Sequence, residues 1–285
     1  MGKGKQSNWN IDLQDPLDGR LDKPRTQGLT MIIDKGLGLN ELNDLLEVNN
    51  QYIDFIKFSF GTALIYPDEI LKRKIEIIKK YQIDVYAGGT LFEVAVTQNS
   101  LNDYLFKARQ AGFTAIEISN GTIYLSQKLR KEAIFKARSL GFKVLTEVGK
   151  KDRNSNLSLE EMKNQIKFDF ASGTDYIIIE GRESGRAISI YDESGRIDLD
   201  KLKGILVAVE GSEDKLIWEA PLKSQQVFLI NELGPNVSLG NIQPGDAMAL
   251  EALRRGLRGD TFKCTLKKEF IDNTNVVNKG SIVGA

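Results

Sequence analysis

The chain has no histidine and one cysteine, Cys264, in 285 residues. The first absence excludes every mechanism that needs imidazole, and the second excludes disulfides within the chain and thiolate zinc sites. A bound metal would have to sit on oxygen. Charge of one sign is also missing: 39 basic residues balance 39 acidic ones, and the pI is near 6.5. That balance removes the electrostatic case for nucleic acid or an anionic membrane as the main partner. No window approaches the roughly 18 apolar residues of a membrane span. The start, "MGKGKQSNWNIDLQDP", carries no apolar signal core, so a cytoplasmic protein is expected.

What the chain does have is short apolar runs rich in Ile, Val and Phe, alternating with helical patterns. That alternation predicts β-α units around a parallel sheet. Eight strands are read at 29–34, 52–58, 84–87, 115–119, 143–148, 176–180, 215–219 and 237–239. Between them, "PDEILKRKIEIIKKYQ" opens on Pro67 and repeats apolar residues at Ile70, Leu71, Ile75, Ile77 and Ile78, a helical spacing. "NSLNDYLFKARQAGF" and "SQKLRKEAIFKARSLGF" both close on a glycine, Gly112 and Gly141, suited to a left-handed C-cap. Eight strand-helix units in under 300 residues predict a single-domain α/β fold, a (β/α)8 TIM barrel, with a doubly wound open sheet as the alternative. The barrel is expected over 23–262, between an N-terminal arm, 1–22, and a C-terminal tail, 263–285. The loop after strand six repeats "ESGR" at 183–186 and 193–196, a small hairpin placed where a lid could cover the barrel mouth.

Five strands end in an acid: "TMIID" at Asp34, "TAIEIS" at Glu117, "KVLTEVG" at Glu147, "YIIIEG" at Glu180 and "KLIWEAP" at Glu219. One such acid reads equally well as a helix cap or a rim ion pair. Five at the strand ends where barrel enzymes hold their catalytic groups point to an active site. "DKGLGLNE" lacks the third glycine of a dinucleotide fingerprint and reads as a tight turn. "AGGTLFE" puts Gly89 and Thr90 after strand three, either cradling an anion or making a sharp turn. Lys57 interrupts the apolar strand "FIKFSFG", and a lysine there must reach the mouth or find a partner. Lys150 and Lys151 follow strand five, Arg182 and Arg186 follow strand six, and Lys23 and Arg25 precede strand one. Together with the carboxylates they describe a site for a small polyanion and an oxygen-liganded divalent metal, magnesium by preference.

The segments "KPRTQGLTMIIDKGLG", "YIDFIKFSFGTALIYP", "VYAGGTLFE", "GFTAIEISNGTI", "GFKVLTEVGKK", "IIIEGRESG", "LIWEAPLKSQQVFLI", "GPNVSLGNI" and "LEALRRGLRGDTF" resemble the phosphosulfolactate synthase family, the ComA-like proteins of coenzyme M biosynthesis. The resemblance implies a (β/α)8 barrel, a Mg2+ requirement and a carbon-sulfur lyase that adds sulfite to phosphoenolpyruvate, giving (2R)-phospho-3-sulfolactate. Sulfite is its own nucleophile, which suits a chain without histidine. By resemblance and placement Lys150 is the expected acid, with Glu147 positioning it. Asp34, Glu117 and Glu180 are the expected metal or metal-water ligands, and Lys57, Arg182 and Arg186 the anion clamps. Arg25, Gly89, Thr90, Gly240 and Asn241 complete the expected substrate contacts, the last two at the usual barrel phosphate site. Asn120 and Ser238 stand where the family often has Asp and Asn. The expected partners are phosphoenolpyruvate, sulfite and further copies of the chain in a homo-oligomer, with no nucleic acid and no membrane. Two rival readings are another Mg2+-dependent enolate-forming barrel enzyme and a non-catalytic protein like the family's plant heat-stress-associated branch.

Overall fold

A computed structural model describes residues 13–151 and 156–263. Residues 1–12 of the expected arm, and the expected tail from Cys264 onward, lie outside the described residues. The strands are β1 (Thr30–Asp34), β2 (Phe55–Phe58), β3 (Asp84–Ala87), β4 (Ala115–Ile118), β5 (Lys143–Val148), β6 (Tyr176–Ile179), β7 (Leu216–Glu219) and β8 (Ser238–Ile242). They form one parallel sheet in the order β3-β2-β1-β8-β7-β6-β5-β4. Between and after them run α1 (Leu39–Asn49), α2 (Asp68–Lys80), α3 (Gly89–Thr97), α4 (Leu101–Ala111), α5 (Gln127–Ser139), α6 (Leu159–Ser172), α7 (Leu199–Ala208), α8 (Lys223–Leu233) and α9 (Ala247–Arg254). The protein is a single-domain (β/α)8 TIM barrel, as the alternation predicts.

Strands covered on both faces read as unbroken apolar runs, because each face meets a core of its own. Met31, Phe55, Tyr86, Leu145, Ile178 and Ile217 fill the barrel interior. Ile32, Ile56, Val85, Ile116, Ile177 and Leu239 face the helices. Each fully buried side chain of this kind stabilises the fold by about 1.5 to 3 kcal/mol relative to exposure. The helices start and stop where the sequence says. Asp68 and Glu69 open α2 behind Pro67, Lys79 and Lys80 close it, and both ends match the helix dipole. Gly112 and Gly141 adopt φ of 95° and 78° at the ends of α4 and α5, conformations that cost other residues strain.

No ladder joins β3 to β4 among the described residues; that seam is closed by single contacts. Thr114 N donates to Val85 O at 3.0 Å and its hydroxyl accepts from Val85 N at 2.9 Å. At the other end of the seam Gly89 N donates to Glu117 Oε1 at 2.6 Å. β8 runs three residues past its expected end. Its pairing with β1 slips by one between Thr30↔Leu239 and Ile32↔Ile242, a bulge of the kind found at barrel rims, and Asn241 has φ 54°.

Residues 13–22 dock on α9: Arg20 donates to Glu251 at 3.0 Å, and Leu17 N donates to Arg255 O at 3.1 Å. The loop after β6 makes the expected hairpin, with antiparallel bridges Ile188↔Tyr191 and Tyr191↔Ile197. It is not a free lid. Ile188, Ile190 and Tyr191 are buried, Tyr191 donates to Glu219 O at 2.5 Å, and Gln225 Nε2 donates to Gly185 O and Gly195 O. Among the described residues no helix is long and apolar enough to cross a membrane.

Candidate active site

Side chains alternate across a strand, so parity decides which strand-end acids enter the barrel. Glu117 follows interior Ala115, Glu147 follows Leu145, Glu180 follows Ile178 and Glu219 follows Ile217. All four line a cavity of about 1030 Å³ at the C-terminal mouth, together with Lys57, Lys150, Lys151, Arg182 and Asn241. Asp34 has the other parity: Met31 and Ile33 face inward, so Asp34 turns outward toward α2. There Lys74 Nζ lies 2.6 Å from Asp34 Oδ2, with both side chains fully buried. Asp34 Oδ1 accepts from Gly36 N, Leu37 N and Tyr66 OH. The expectation of Asp34 as a metal ligand is corrected accordingly; it holds the β1 turn to α2.

Lys57 spans the barrel between two acids, with Nζ 2.7 Å from Glu219 Oε1 and 3.4 Å from Glu117 Oε2. Burial opposes its charge, but Glu117 and Glu219 outweigh it and raise the lysine well above its ordinary value. Glu117 is pushed up to about 7, chiefly by burial, against the pull of Lys57. Glu180 Oε1 accepts from Arg182 N at 2.8 Å, while its Oε2 is buried with no donor among the described residues. Burial and the nearby Glu147 and Glu219 carboxylates raise Glu180 well above the carboxylate range. Glu219 Oε2 accepts from Gly181 N and Arg182 N. One oxygen from each of Glu147, Glu180 and Glu219 falls within 4.8 Å of the others.

Just beyond β4, Ser119 Oγ lies 2.6 Å from Glu93 Oε1 and 2.7 Å from Glu147 Oε1. A hydroxyl has one proton to give, so the second carboxylate leans on Lys151. Lys151 Nζ stands 3.6 Å from Glu147 and 3.8 Å from Glu93 and donates to Thr90 Oγ1 at 3.0 Å. Burial raises Glu147, yet Lys151, Lys57 and the Ser119 bond outweigh it and leave Glu147 below its ordinary value. Lys150 behaves differently. Its Nζ donates to Asn120 O at 2.6 Å and Ile123 O at 3.3 Å, and burial lowers its proton affinity.

Several expected contacts sit elsewhere. Glu147 pairs with Lys151 rather than positioning Lys150. Arg25 lies at the opposite end of the barrel, bonded twice to Asp54, and Arg186 is exposed outside the cavity lining. Gly240 is a packing glycine: a Cβ there would lie 2.3 Å from Met31 Cε. Ser238 opens β8 at the end away from the mouth, where its hydroxyl accepts from Leu29 N at 3.1 Å. Gly89 and Thr90 do line the mouth, but the Gly89 amide serves Glu117. Glu93 and Ser119 carry no signal in the sequence, being an acid inside a helix and a serine just past a strand; Lys151 is expected only as one cation of the set, with no role apart from Lys150. Glu219 is expected among the strand-end acids but not among the site residues; the structure places it in the mouth beside Lys57.

Buried carboxylates bridged by lysine at the C-terminal mouth of the barrel define a (β/α)8 enzyme. The chain belongs to the phosphosulfolactate synthase family: residues 18–260 match (2R)-phospho-3-sulfolactate synthase (ComA). It is 42% identical over 245 residues to the phosphosulfolactate synthase of Methanothermobacter thermautotrophicus, covering 85% of this chain and 94% of that one. To the phosphosulfolactate synthase of Methanocaldococcus jannaschii it is 44% identical over 238 residues, covering 83% and 94%. A more distant relative, at 24% over 276 residues, is the Arabidopsis thaliana Protein HEAT-STRESS-ASSOCIATED 32, covering 89% and 94%. Among solved structures, 3-hexulose-6-phosphate synthase from Salmonella typhimurium superposes with a TM-score of 0.52 at 15% identity, covering 84% and 99%; that likeness concerns the fold alone. The expected family and the expectation of an enzyme, a carbon-sulfur lyase, are borne out.

Proposed function

We propose that this enzyme adds sulfite to phosphoenolpyruvate, with Mg2+, to give (2R)-phospho-3-sulfolactate. Family membership supports the reaction, and the observation that carries the cation is the Glu147, Glu180 and Glu219 cluster. Five carboxylates, Glu93, Glu117, Glu147, Glu180 and Glu219, are buried about this mouth. Two anionic substrates entering beside them need added positive charge. Glu180 Oε2 is buried with no donor among the described residues, its carboxyl would shed its proton to take a cation, and an all-oxygen donor set suits a hard divalent ion. Glu180 thus remains a proposed ligand, joined by Glu147 and Glu219 in place of Asp34 and Glu117. When bound, Mg2+ would stabilise the negative charge that builds on the substrate carboxylate.

The remaining work falls to the chain. Arg182, whose backbone is held by Glu180 and Glu219, offers its guanidinium to an anion at the rim. Lys151, with burial opposed by Glu147, Glu180 and Glu93, has its proton affinity raised and serves as a fixed charge. The sulfite sulfur lone pair forms the C–S bond at C3 of phosphoenolpyruvate, and the C2–C3 π electrons move onto the carboxylate as an aci-carboxylate. Lys150 Nζ then delivers a proton to C2 from one face; the phosphate ester stays intact and solvent returns the proton to Lys150. Mass spectrometry of a reaction with phosphoenolpyruvate, sulfite and Mg2+ should show one phosphosulfolactate. Exhaustive EDTA treatment should abolish turnover, and Mg2+ or Mn2+ but not zinc should restore it. Full activity after EDTA would remove the cation from the reading, and no product under any of these conditions would remove the reaction.

A further inference from the structure

We infer that Arg130 is a positioning residue, acting through Asn120 to set where the Lys150 ammonium stands. The inference rests on Lys150 as the proton donor. Arg130 lies on α5, outside the barrel wall, and is 1% exposed. Its Nε and Nη2 bind the Asp169 carboxylate of α6 at 2.7 and 2.6 Å, and Gln165 Nε2 steadies Asp169 Oδ1 at 2.8 Å. A clamp between two helices needs no more than that, and a buried ion pair is often no more stabilising than an apolar pair of the same size.

The other bonds of the fork run inward. Nη1 donates to Asn120 Oδ1 at 3.2 Å, and Nη2 donates to Glu147 O at 3.0 Å. These two acceptors belong to the loop leaving β4 and the strand leading to Lys150. Asn120 is thereby held at both ends, since its side chain accepts from Arg130 while its carbonyl accepts from Lys150 Nζ at 2.6 Å. Lys150 has no carboxylate within ion-pair distance among the described residues, so these carbonyls are what place it. A planar guanidinium fixed by a bidentate carboxylate is a rigid strut, which lysine at the same position cannot reproduce.

The experiment uses the full chain with Mg2+, phosphoenolpyruvate and sulfite, and compares Asn120→Ala and Arg130→Lys alone and in a Lys150→Arg background. Asn120→Ala leaves the Arg130–Asp169 pair intact, so it should keep its melting temperature and its KM for phosphoenolpyruvate while kcat falls about 10-fold. Arg130→Lys should lower kcat by about 10- to 100-fold, the scale of a small misplacement of a reacting group. In the Lys150→Arg background neither change should lower the residual kcat further. Losses that multiply in that background, or single variants with normal kcat, would overturn the positioning role. If Arg130→Lys does not fold, Asn120→Ala carries the comparison by itself. A Lys150→Arg enzyme with near-normal kcat overturns the donor assignment and this inference with it, and that arm alone tells the two failures apart.

Discussion

Lys150 and Lys151 are adjacent in the chain, yet their ammonium groups live in opposite surroundings. Lys151 is ringed by Glu147, Glu180 and Glu93, whose attraction exceeds the cost of burial and keeps its proton bound. Among the described residues Lys150 Nζ bonds to two carbonyls and makes no ion pair, and burial makes its proton easier to give. A general acid should be the second kind. Lys150→Arg keeps the charge but hardly releases a proton, so kcat should fall by on the order of 10² to 10⁴ with a modest change in KM. Steady-state kinetics at saturating sulfite reads this directly. At the other buried pair, Lys74→Met strands the Asp34 carboxylate in the core, and losing one partner of such a pair costs about 3 to 5 kcal/mol. Chemical denaturation should report that loss, while Mg2+ affinity measured by calorimetry stays as in the parent protein. A weakened Mg2+ affinity would return Asp34 to the ligand set.

At the scale of elements, α3 is the most exacting piece. Its first residue sits so close to β4 that a Cβ on Gly89 would fall 2.5 Å from Ser119 Cβ and 2.6 Å from Glu117 Oε1. Gly89→Ala should therefore displace the helix start, destabilise the fold by about 1 to 3 kcal/mol, and reduce activity further than that loss of stability explains. Thermal melts and kcat on the same preparation separate the two effects. Strands and helices were legible because each strand is apolar on both faces and each helix is amphipathic on one. The end of β8 was not, since Gly240 and Asn241 read as a loop until the bulge against β1 is known. Site residues divided on parity. In both "TAIEIS" and "TMIID" every residue before the acid is apolar except the leading threonine, so neither string says that Glu117 points inward and Asp34 outward. Arg130 gave no signal at all, because a basic residue on a helix is nearly always solvated and only the tertiary contact with Asp169 reveals it.

For the molecule as a whole, the absence of histidine makes pH a clean probe. Glu117 holds its proton up to about pH 7 in the fold, against an ordinary carboxylate value in the unfolded chain. The native state therefore binds more protons between roughly pH 4.5 and 7, and stability falls as pH rises through that window. Glu147 is shifted the other way and gives up its contribution only below that range. Without added metal, melting should be on the order of 5 °C lower at pH 8 than at pH 5.5. If Mg2+ binds at the proposed Glu147, Glu180 and Glu219 site, it should raise the melting temperature more at pH 8, because protons would compete with it for those carboxylates. A flat profile would contradict the buried, protonated Glu117. The same carboxylate has a second duty. Where β3 and β4 fail to pair, the bond from Gly89 N to Glu117 Oε1 is the stitch at the catalytic end and Thr114 the stitch at the base. A cylinder sewn at two points opens along that line before it opens anywhere else. In native-state hydrogen exchange the Gly89 and Thr114 amides should be the first of the barrel wall to lose protection, and the upper one should do so on a schedule set by whatever occupies the pocket.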